Sequence, residues 1–300
     1  KRSGLAGAFS YGIYASNPNK LSLTISNNVV IDGDFYYDGA VTMCNSATLV
    51  DGTLYSDSLT LQNSASVDSA EGISTPVPPP QFDTSYYDSR LALTNNSASS
   101  SLNLWNQNLN LSGQTLYYTS ATIGQNSTVV GPGTLVITNG DFNIGNNGAI
   151  GSNVEVIVKG QSVFSNSASV GTNFTLISKG SISFSNTSAV PPMATVFSYG
   201  NITFSNTTTF AGTVLAPSGE VYSSNTTQFT GLLYANSLGF SNTTTFTGAA
   251  AVNQIGYLSN SVHMTYDPTV LPGTIPQGLE GSGGSSSVEG VSETSWGESF

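Results

Sequence analysis

The heptapeptide FSNTTTF stands at residues 204–210 and again at residues 240–246, and related versions precede and separate the two copies. These versions are FSNSASV at 164–170, FSNTSAV at 184–190 and SSNTTQF at 223–229. Successive asparagines of the five copies are 20, 20, 19 and 17 residues apart. Self-similarity at one short period is typical of stacked repeats. The period predicts an all-β fold, a parallel β-solenoid with about 17–20 residues in each coil.

Weaker copies extend the repeat toward the N-terminus. The equivalent asparagines are predicted to be Asn27, Asn45, Asn63, Asn126, Asn146, Asn166, Asn186, Asn206, Asn225 and Asn242. The residue four positions after each asparagine is apolar, and the residue two positions before it is apolar except at Gly124 and Ser223. This alternation indicates short strands with inward apolar side chains and a turn at Ser-Asn. The predicted core rows are Phe164, Phe184, Phe204 and Phe240 before the asparagine, and Phe210, Phe229 and Phe246 after it.

Stacked coils place equivalent residues above one another, so the asparagines should form one column. We expect this column to turn inward and to pass amide hydrogen bonds from coil to coil, as in other stacked parallel strands. The alternative is glycosylation, since several of these asparagines lie in Asn-x-Ser/Thr sequons. Inward side chains are poor acceptors for a glycan, so Asn95 and Asn110, outside the clear repeats, are the better candidates.

The predicted organisation has five parts. Residues 1–74 form N-terminal solenoid coils, and residues 75–100 form a proline-rich linker with a short helix over FDTSYYDSRLAL, capped by Asp83 or Thr84. Residues 101–252 form the main solenoid. Residues 253–277, which contain three prolines, are expected to fold over its open end as a cap. Residues 278–300 form a flexible linker and a docking peptide. The sequence leaves open whether the two groups of coils share one stack.

Composition restricts the partners. Only 8% of the residues are charged and the chain has six Lys and Arg, with a net charge of −11, which argues against nucleic acid. No stretch approaches the roughly 18–20 apolar residues of a membrane span. Cys44 occupies the position of a corner serine, and we interpret it as a serine substitute rather than an intermolecular bridge. A surface rich in Ser, Thr and Asn with few Lys and Cys indicates an extracellular bacterial protein. No cofactor is expected.

No catalytic site is predicted, because the carboxylates of the main solenoid are scattered. His263 is the one candidate base at neutral pH, and a hydrogen-bonded structural role in the cap is preferred for it. Asp32, Asp34 and Asp38 are a weak candidate calcium site. Because Asp-Gly is also turn chemistry, a polar corner is the preferred interpretation of these three residues.

Outward threonines form short columns. Thr207, Thr226 and Thr243 make one column, with Thr209 and Thr245 beside it, and such arrays can organise water at an ice surface. The columns break at Ser167 and Ala189. A hydrated, β-favouring surface is therefore preferred over ice binding.

The order of several segments resembles a known family. These are VVIDGDFYYDG at 29–39, PVPPPQFDTSYYDS at 76–89, the SNSASV and SNTTTF coils, TYDPTVLPG at 265–273 and a terminus that contains tryptophan. The chain resembles bacterial surface proteins associated with PilX-type type IV pilus assembly, and its coils are similar to polymer-forming bactofilins. The resemblance implies a structural role at a surface or pilus.

These observations predict a non-enzymatic subunit of an extracellular surface fibre or pilus-associated assembly. Its expected partners are further copies of the chain, with other surface or pilus components as additional candidates. The alternative is an adhesin that binds glycans or surfaces through its Ser/Thr/Asn face. Ice binding and a polysaccharide-active β-helix enzyme rank lower. Trp296 and Phe300, at the end of the Gly/Ser linker, are predicted to contact a neighbouring subunit, with docking on the same subunit as the competing interpretation.

Overall fold

The computed structural model describes residues 5, 7–95, 98, 100–186 and 188–280. They form a parallel β-solenoid with one α-helix, α1 (Ser85–Leu91), which confirms the predicted fold class. The first strands are β1 (Ile13–Ala15), β2 (Leu23–Ser26), β3 (Val30–Asp32), β4 (Phe35–Met43), β5 (Thr48–Leu61), β6 (Ser66–Gly72), β7 (Leu102–Trp105), β8 (Asn108–Asn110), β9 (Thr115–Tyr118), β10 (Ala121–Gly124), β11 (Thr128–Val130) and β12 (Gly133–Ile137). They are followed by β13 (Phe142–Ile144), β14 (Ala149–Ile150), β15 (Val154–Val158), β16 (Ser162–Phe164), β17 (Ser169–Val170), β18 (Thr175–Ser178), β19 (Ile182–Phe184), β20 (Ala189–Ser198), β21 (Ile202–Phe204), β22 (Thr209–Ser223), β23 (Gln228–Phe240), β24 (Thr245–Ser259) and β25 (His263–Tyr266). Two 3-10 turns lie at Gly7–Ser10 and Pro268–Val270.

Each coil has three sides, which we call A, B and C. Side A ends at the asparagine corner, side B follows that corner, and side C completes the coil. In one coil β21 is side A, and β22 contributes side B from Thr209 and side C from Thr213. Alternate residues of each strand face inward, because the side-chain period of a strand is two. All seven predicted core phenylalanines are buried (Phe164, Phe184, Phe204, Phe240, Phe210, Phe229 and Phe246).

The corner between sides B and C contains glycine in three consecutive coils, at Gly212, Gly231 and Gly248. Gly231 has a φ of +133°, and a Cβ atom there would lie 1.9 Å from the carbonyl oxygen of Gly212. Only a residue without a side chain allows the two coils to approach so closely. This is the second corner of the coil, and each of the three glycines stands six residues after the asparagine of the first corner.

All coils belong to one stack, although the chain does not follow it from end to end. Strands β1, β2 and β3 pair with β24 and β25 on one side and with β4 and β5 on the other. The N-terminal coils therefore stack on the last coil of the chain. From there the chain runs to one end of the stack at β6, crosses outside to β7 at the other end, and returns coil by coil.

The contact between the last coil and the first coil, which we call the seam, keeps the sheet register. Tyr266 is the partner of Gly248, and Ile13 is the partner of Ala250. Gly12 therefore occupies the place in the sheet that would directly follow Tyr266. One coil is therefore formed by both ends of the chain: it begins with β25 and continues from Gly12.

The predicted cap at residues 253–277 is wrong in position. Residues 253–266 comprise the end of β24, the corner at Asn260 and β25, and they lie inside the stack between other coils. The residues that follow lie against side C, where Leu271 and Leu279 are buried. The prolines that suggested a cap all stand after Tyr266, in the part of the chain that has left the sheet.

Side C has a second apolar layer on its outer surface. Its outward residues include Tyr14, Tyr36, Phe197, Leu215 and Tyr234. The linker and α1 cover them: the ring of Tyr87 stacks on Phe197 with centroids 3.9 Å apart, and Phe82 stacks on Tyr234 at 5.1 Å.

Polar contacts fix the same covering layer. The Tyr14 hydroxyl donates to the Val77 carbonyl at 2.6 Å, and the Val77 amide donates to the Tyr36 hydroxyl at 3.1 Å. Arg90 of α1 forms a two-contact ion pair with Glu155 of β15. The short helix forms as predicted, and the Ser85 amide donates to the Asp83 carboxylate at 2.9 Å.

Candidate functional site

The asparagine column is a hydrogen-bonded ladder, but it lies on the outside of the solenoid. The Asn206 side-chain NH2 group donates to the Asn186 side-chain oxygen at 3.2 Å, and the Asn206 side-chain oxygen accepts from the Asn225 side-chain NH2 group at 3.1 Å. Both Asn206 and Asn225 are exposed. The predicted hydrogen bonds are present, whereas the predicted inward direction is wrong.

The reason is the backbone conformation of the corner. Asn206 has a φ of +52° and the next residue, Thr207, a φ of +64°, so two successive residues are left-handed. Asparagine tolerates this region better than most residues with a side chain. The corner bends the chain so that the asparagine side chain points away from the core, and the buried position is taken by the following Thr208.

The ladder crosses the seam without a break. The Asn27 amide donates to Asn260 at 3.0 Å, and the Asn260 amide donates to Asn242 at 3.2 Å. Asn260 and Asn106 are ladder members that the sequence reasoning missed. Both were detectable, because apolar Leu258 and Leu104 stand two residues before them.

One predicted member is displaced by a residue. Ile123 pairs with Ile144, so Gln125 and not Asn126 is equivalent to Asn146. The Gln125 side-chain oxygen accepts from the Asn106 side-chain NH2 group at 3.2 Å, and Val129, four residues after Gln125, is fully buried. The Asn126 side chain still joins the ladder, because its NH2 group donates to the Asn106 side-chain oxygen at 3.4 Å. The slip also explains the exception at Gly124, since the residue two positions before the true corner is apolar Ile123.

Both ends of the stack present strands with one unpaired edge among the described residues. At one end, β7, β8 and β9 each pair with a single strand. At the other end, β6 pairs only with β5. Apolar side chains are exposed beside these edges: Trp105 is 54% exposed at the first end and Leu61 is 45% exposed at the second. An open edge is a template for another strand.

The structure does not gather the three aspartates of the weak calcium candidate. Asp38 pairs with Lys20, and Asp34 accepts from the Thr53 amide at 2.9 Å. Asp32 stands at the end of β3 on side B. In the described part of the chain, no three His, Cys, Asp or Glu side chains converge as a metal site would require.

His263 and Cys44 occupy repeat positions. His263 is exposed on side B, in register between Thr245 and Val30. Its predicted place in a cap is therefore wrong. The Cys44 amide donates to the Ile25 carbonyl at 2.9 Å, as the Ser185 amide donates to Phe164. This agrees with the interpretation of Cys44 as a serine substitute.

The predicted threonine columns lie at the exposed corner and on side B. The hydroxyls of Thr226 and Thr243 are 3.5 Å apart, and Thr209 and Thr245 are exposed beside them. Nearby, a groove of about 550 Å3 lies between Met193 and Leu271, and its described lining residues carry no ionisable side chain.

Three further predictions concern other parts of the molecule. Trp296 and Phe300 lie outside the described residues. Of the two candidate glycan acceptors, Asn110 is exposed in β8, and its side chain accepts from the Ser112 amide at 3.0 Å. Among the helices that the structure describes, none is long and apolar enough to cross a membrane.

Comparisons of the chain with protein-family models, with curated proteins and with solved structures return no match.

Proposed function

We propose that the protein is a non-enzymatic structural subunit that assembles head to tail into an extracellular surface fibre or a pilus-associated filament. The observation that carries the proposal is the pair of open ends. A parallel solenoid is polar, so the edge at β6 of one copy faces the edge at β7, β8 and β9 of the next copy in the orientation that parallel pairing requires. A heterologous contact of this kind does not close, and it generates filaments.

The seam supports the proposal as an internal precedent. There, two coils that are far apart in the chain stack with full strand pairing and with a continuous ladder. Stacking at the seam therefore does not require the two coils to be consecutive in the chain. The contact between two subunits would use the same elements: three strand edges and an asparagine corner.

The acceptor at the β6 end of the ladder also fits this contact. Each amide from Asn166 to Asn63 along the stack donates toward the β7 end, and Asn63 donates to Asn45 at 3.0 Å. The side-chain oxygen of Asn63 accepts from no described residue. The Asn106 side-chain NH2 group donates one N–H to Gln125, so its second N–H can donate to Asn63 of a neighbouring copy. Residues 101–120, at the opposing end, carry no charge. Like charges therefore do not oppose Asp68 and Glu71 of β6.

The test places a proline on the open edge. The Leu102 backbone N–H donates to the Ser120 carbonyl at 2.9 Å, and the Asn106 backbone N–H donates to the Gln125 carbonyl at 2.8 Å. Because the direction of the N–H alternates along a strand, the N–H of Asn103 points to the open edge. Asn103→Pro removes that donor and fills the edge with the proline ring, while the internal hydrogen bonds are kept.

Asn103→Ala is the matched control, because it keeps the N–H group. We expect the wild type and Asn103→Ala to form filaments in negative-stain images. Asn103→Pro should remain monomeric and should have the circular dichroism spectrum of the wild type. Filaments of normal length from folded Asn103→Pro, or only isolated rods from the wild type, would contradict head-to-tail stacking.

The C-terminal peptide is proposed as a second contact between subunits, with Trp296 as its anchor. Truncation after Glu280 keeps Leu279, which is fully buried on side C. The tethering model expects fewer or shorter filaments and the melting temperature of the intact chain. If filaments form at the same protein concentration without residues 281–300, the peptide is not a subunit contact.

A further inference from the structure

Side A carries an aromatic surface that interrupts a column of small residues. Outward positions of this side are Ser183 and Thr203 in the preceding coils. In the next coils the column continues with Tyr222, Gly239 and Tyr257, which are partners in neighbouring strands. The two tyrosine rings are nearly parallel, with an interplanar angle of 16° and centroids 6.3 Å apart.

Gly239 makes this arrangement possible. A Cβ atom at Gly239 would lie 2.6 Å from Cε1 and Cζ of Tyr257. The ring of Tyr257 therefore lies over the glycine and leans toward Tyr222. Tyr257 is still 39% exposed, so part of the ring remains open to solvent.

A β-bulge directs Tyr257 to this position. Leu238 pairs with Ile255, but its neighbour Gly239 pairs with Tyr257, so Gly256 is an extra residue in β24. Without the extra residue, alternation would direct Tyr257 to the opposite face of the strand. Bulges that re-aim one side chain occur preferentially beside functional sites.

A carboxylate stands next to the rings. Glu220 precedes Tyr222 by two residues in β22, so both side chains point outward on side A. Glu220 is half-buried. Burial and the negative charge of Glu220 raise the pKa of Tyr257, which is consistent with a carboxylate close to the ring.

We propose that Tyr222, Tyr257 and Glu220 form a binding site for a pyranose ring of a polysaccharide. The apolar C–H face of a pyranose packs against an aromatic ring, and a carboxylate accepts strong hydrogen bonds from sugar hydroxyls. The small side chains in the neighbouring coils leave a flat path along which the polymer continues. The site lies on a lateral side of the stack, away from the open ends, so a filament would carry one copy on every subunit.

A structural role is the competing explanation, because an aromatic ring can cover a glycine of a neighbouring strand and stabilise the sheet. That role requires the ring to shield the backbone but gives no reason for binding. The two explanations differ in whether a polysaccharide in the gel slows the migration of the protein.

The experiment is affinity gel electrophoresis of the whole chain in native gels that contain hydroxyethyl cellulose, glycol chitin, xylan or pullulan. We expect at least one polymer to retard the wild type and Tyr257→Phe. In that gel, the dissociation constant of Tyr257→Ala should be at least tenfold higher than that of the wild type. Glu220→Gln should weaken binding severalfold, because the charged acceptor is lost.

Two further variants control for folding. Gly239→Ala keeps both tyrosines but displaces the ring of Tyr257, so it should weaken binding as strongly as Tyr257→Ala. Tyr86→Ala, on α1, removes a tyrosine with the same exposed fraction of 39% and should bind as the wild type does. Each variant is checked by circular dichroism and for filaments.

Wild-type migration that is unchanged in all four gels, or folded Tyr257→Ala that is retarded as strongly as the wild type, would overturn the proposal. Filament formation is measured separately, so a failure of the glycan site is distinguishable from a failure of head-to-tail assembly.

Discussion

Replacement of Phe204 by alanine tests the inward direction of the core rows. Phe204 is fully buried, and its ring stacks on Phe184 with centroids 5.3 Å apart and an interplanar angle of 4°. It also meets Phe210 and Phe229 edge to face, at 5.2 Å and 5.7 Å. The strands above and below are fixed at about 4.8 Å by their hydrogen bonds, so the cavity cannot collapse.

The expected loss of unfolding free energy is about 4 kcal/mol, within the range for Phe→Ala in a core. Three aromatic contacts, each contributing about 0.5–1.5 kcal/mol beyond burial, place it toward the upper part of that range. Thr207→Ala, three residues away on the exposed corner, should change the stability by less than about 0.5 kcal/mol.

Urea unfolding followed by circular dichroism measures the two variants. Hydrogen exchange with mass spectrometry then locates the change, which should concentrate in residues 182–229, because each coil contacts only its neighbours. If Thr207→Ala destabilises the protein as much as Phe204→Ala, the assignment of inward and outward positions is wrong.

Two other predictions follow from the corner and from side C. Asn206→Ala loses two ladder hydrogen bonds and places alanine at a φ of +52°, so it should lower the unfolding free energy by about 2 kcal/mol. Asn206→Gly loses the same hydrogen bonds but keeps the backbone relaxed, so it should lower the unfolding free energy by about 1 kcal/mol. Equal urea midpoints for the two variants would contradict a requirement for the left-handed conformation. Burial raises the pKa of Tyr14, Tyr37 and Tyr87 in the folded protein. Their contribution to stability is complete below the unfolded value of about 10 and falls as the pH rises above it, because only the unfolded chain then releases the protons. Urea midpoints between about pH 8 and pH 11 should therefore decline, and Tyr87→Phe should make the decline shallower; a decline of the same slope in that variant would exclude Tyr87 as a source.

The sequence by itself determined the architecture of a coil. The spacing of the asparagines gave the coil length, and alternation around them identified core residues such as Phe204 and Phe246, which are buried in the structure. These properties depend on residues only a few positions apart, and strand alternation and turn preference act at that range. The glycines of the second corner were predictable for the same reason.

Some local details still required the structure. Asn206 was expected inside the solenoid because a ladder and a buried column give the same sequence period. The left-handed corner decided that the ladder lies outside. The sequon at Asn126 looks like the other asparagine corners, so the sequence alone favours Asn126 as the ladder position. The pairing of Ile123 with Ile144 shows that the equivalent position is Gln125. The tyrosine pair on side A depends on a bulge at Gly256 that no period in the sequence indicates.

Only the tertiary structure decided the order of the coils. Ser16 donates to Asn253 across a separation of 237 residues, and Asn27 donates to Asn260 across 233. Every coil presents nearly the same edge, with three short strands and an asparagine corner, so the repeat pattern alone does not indicate which edge meets which. That choice depends on the linker and α1, whose aromatic side chains pack on side C and lead the chain from one end of the stack to the other.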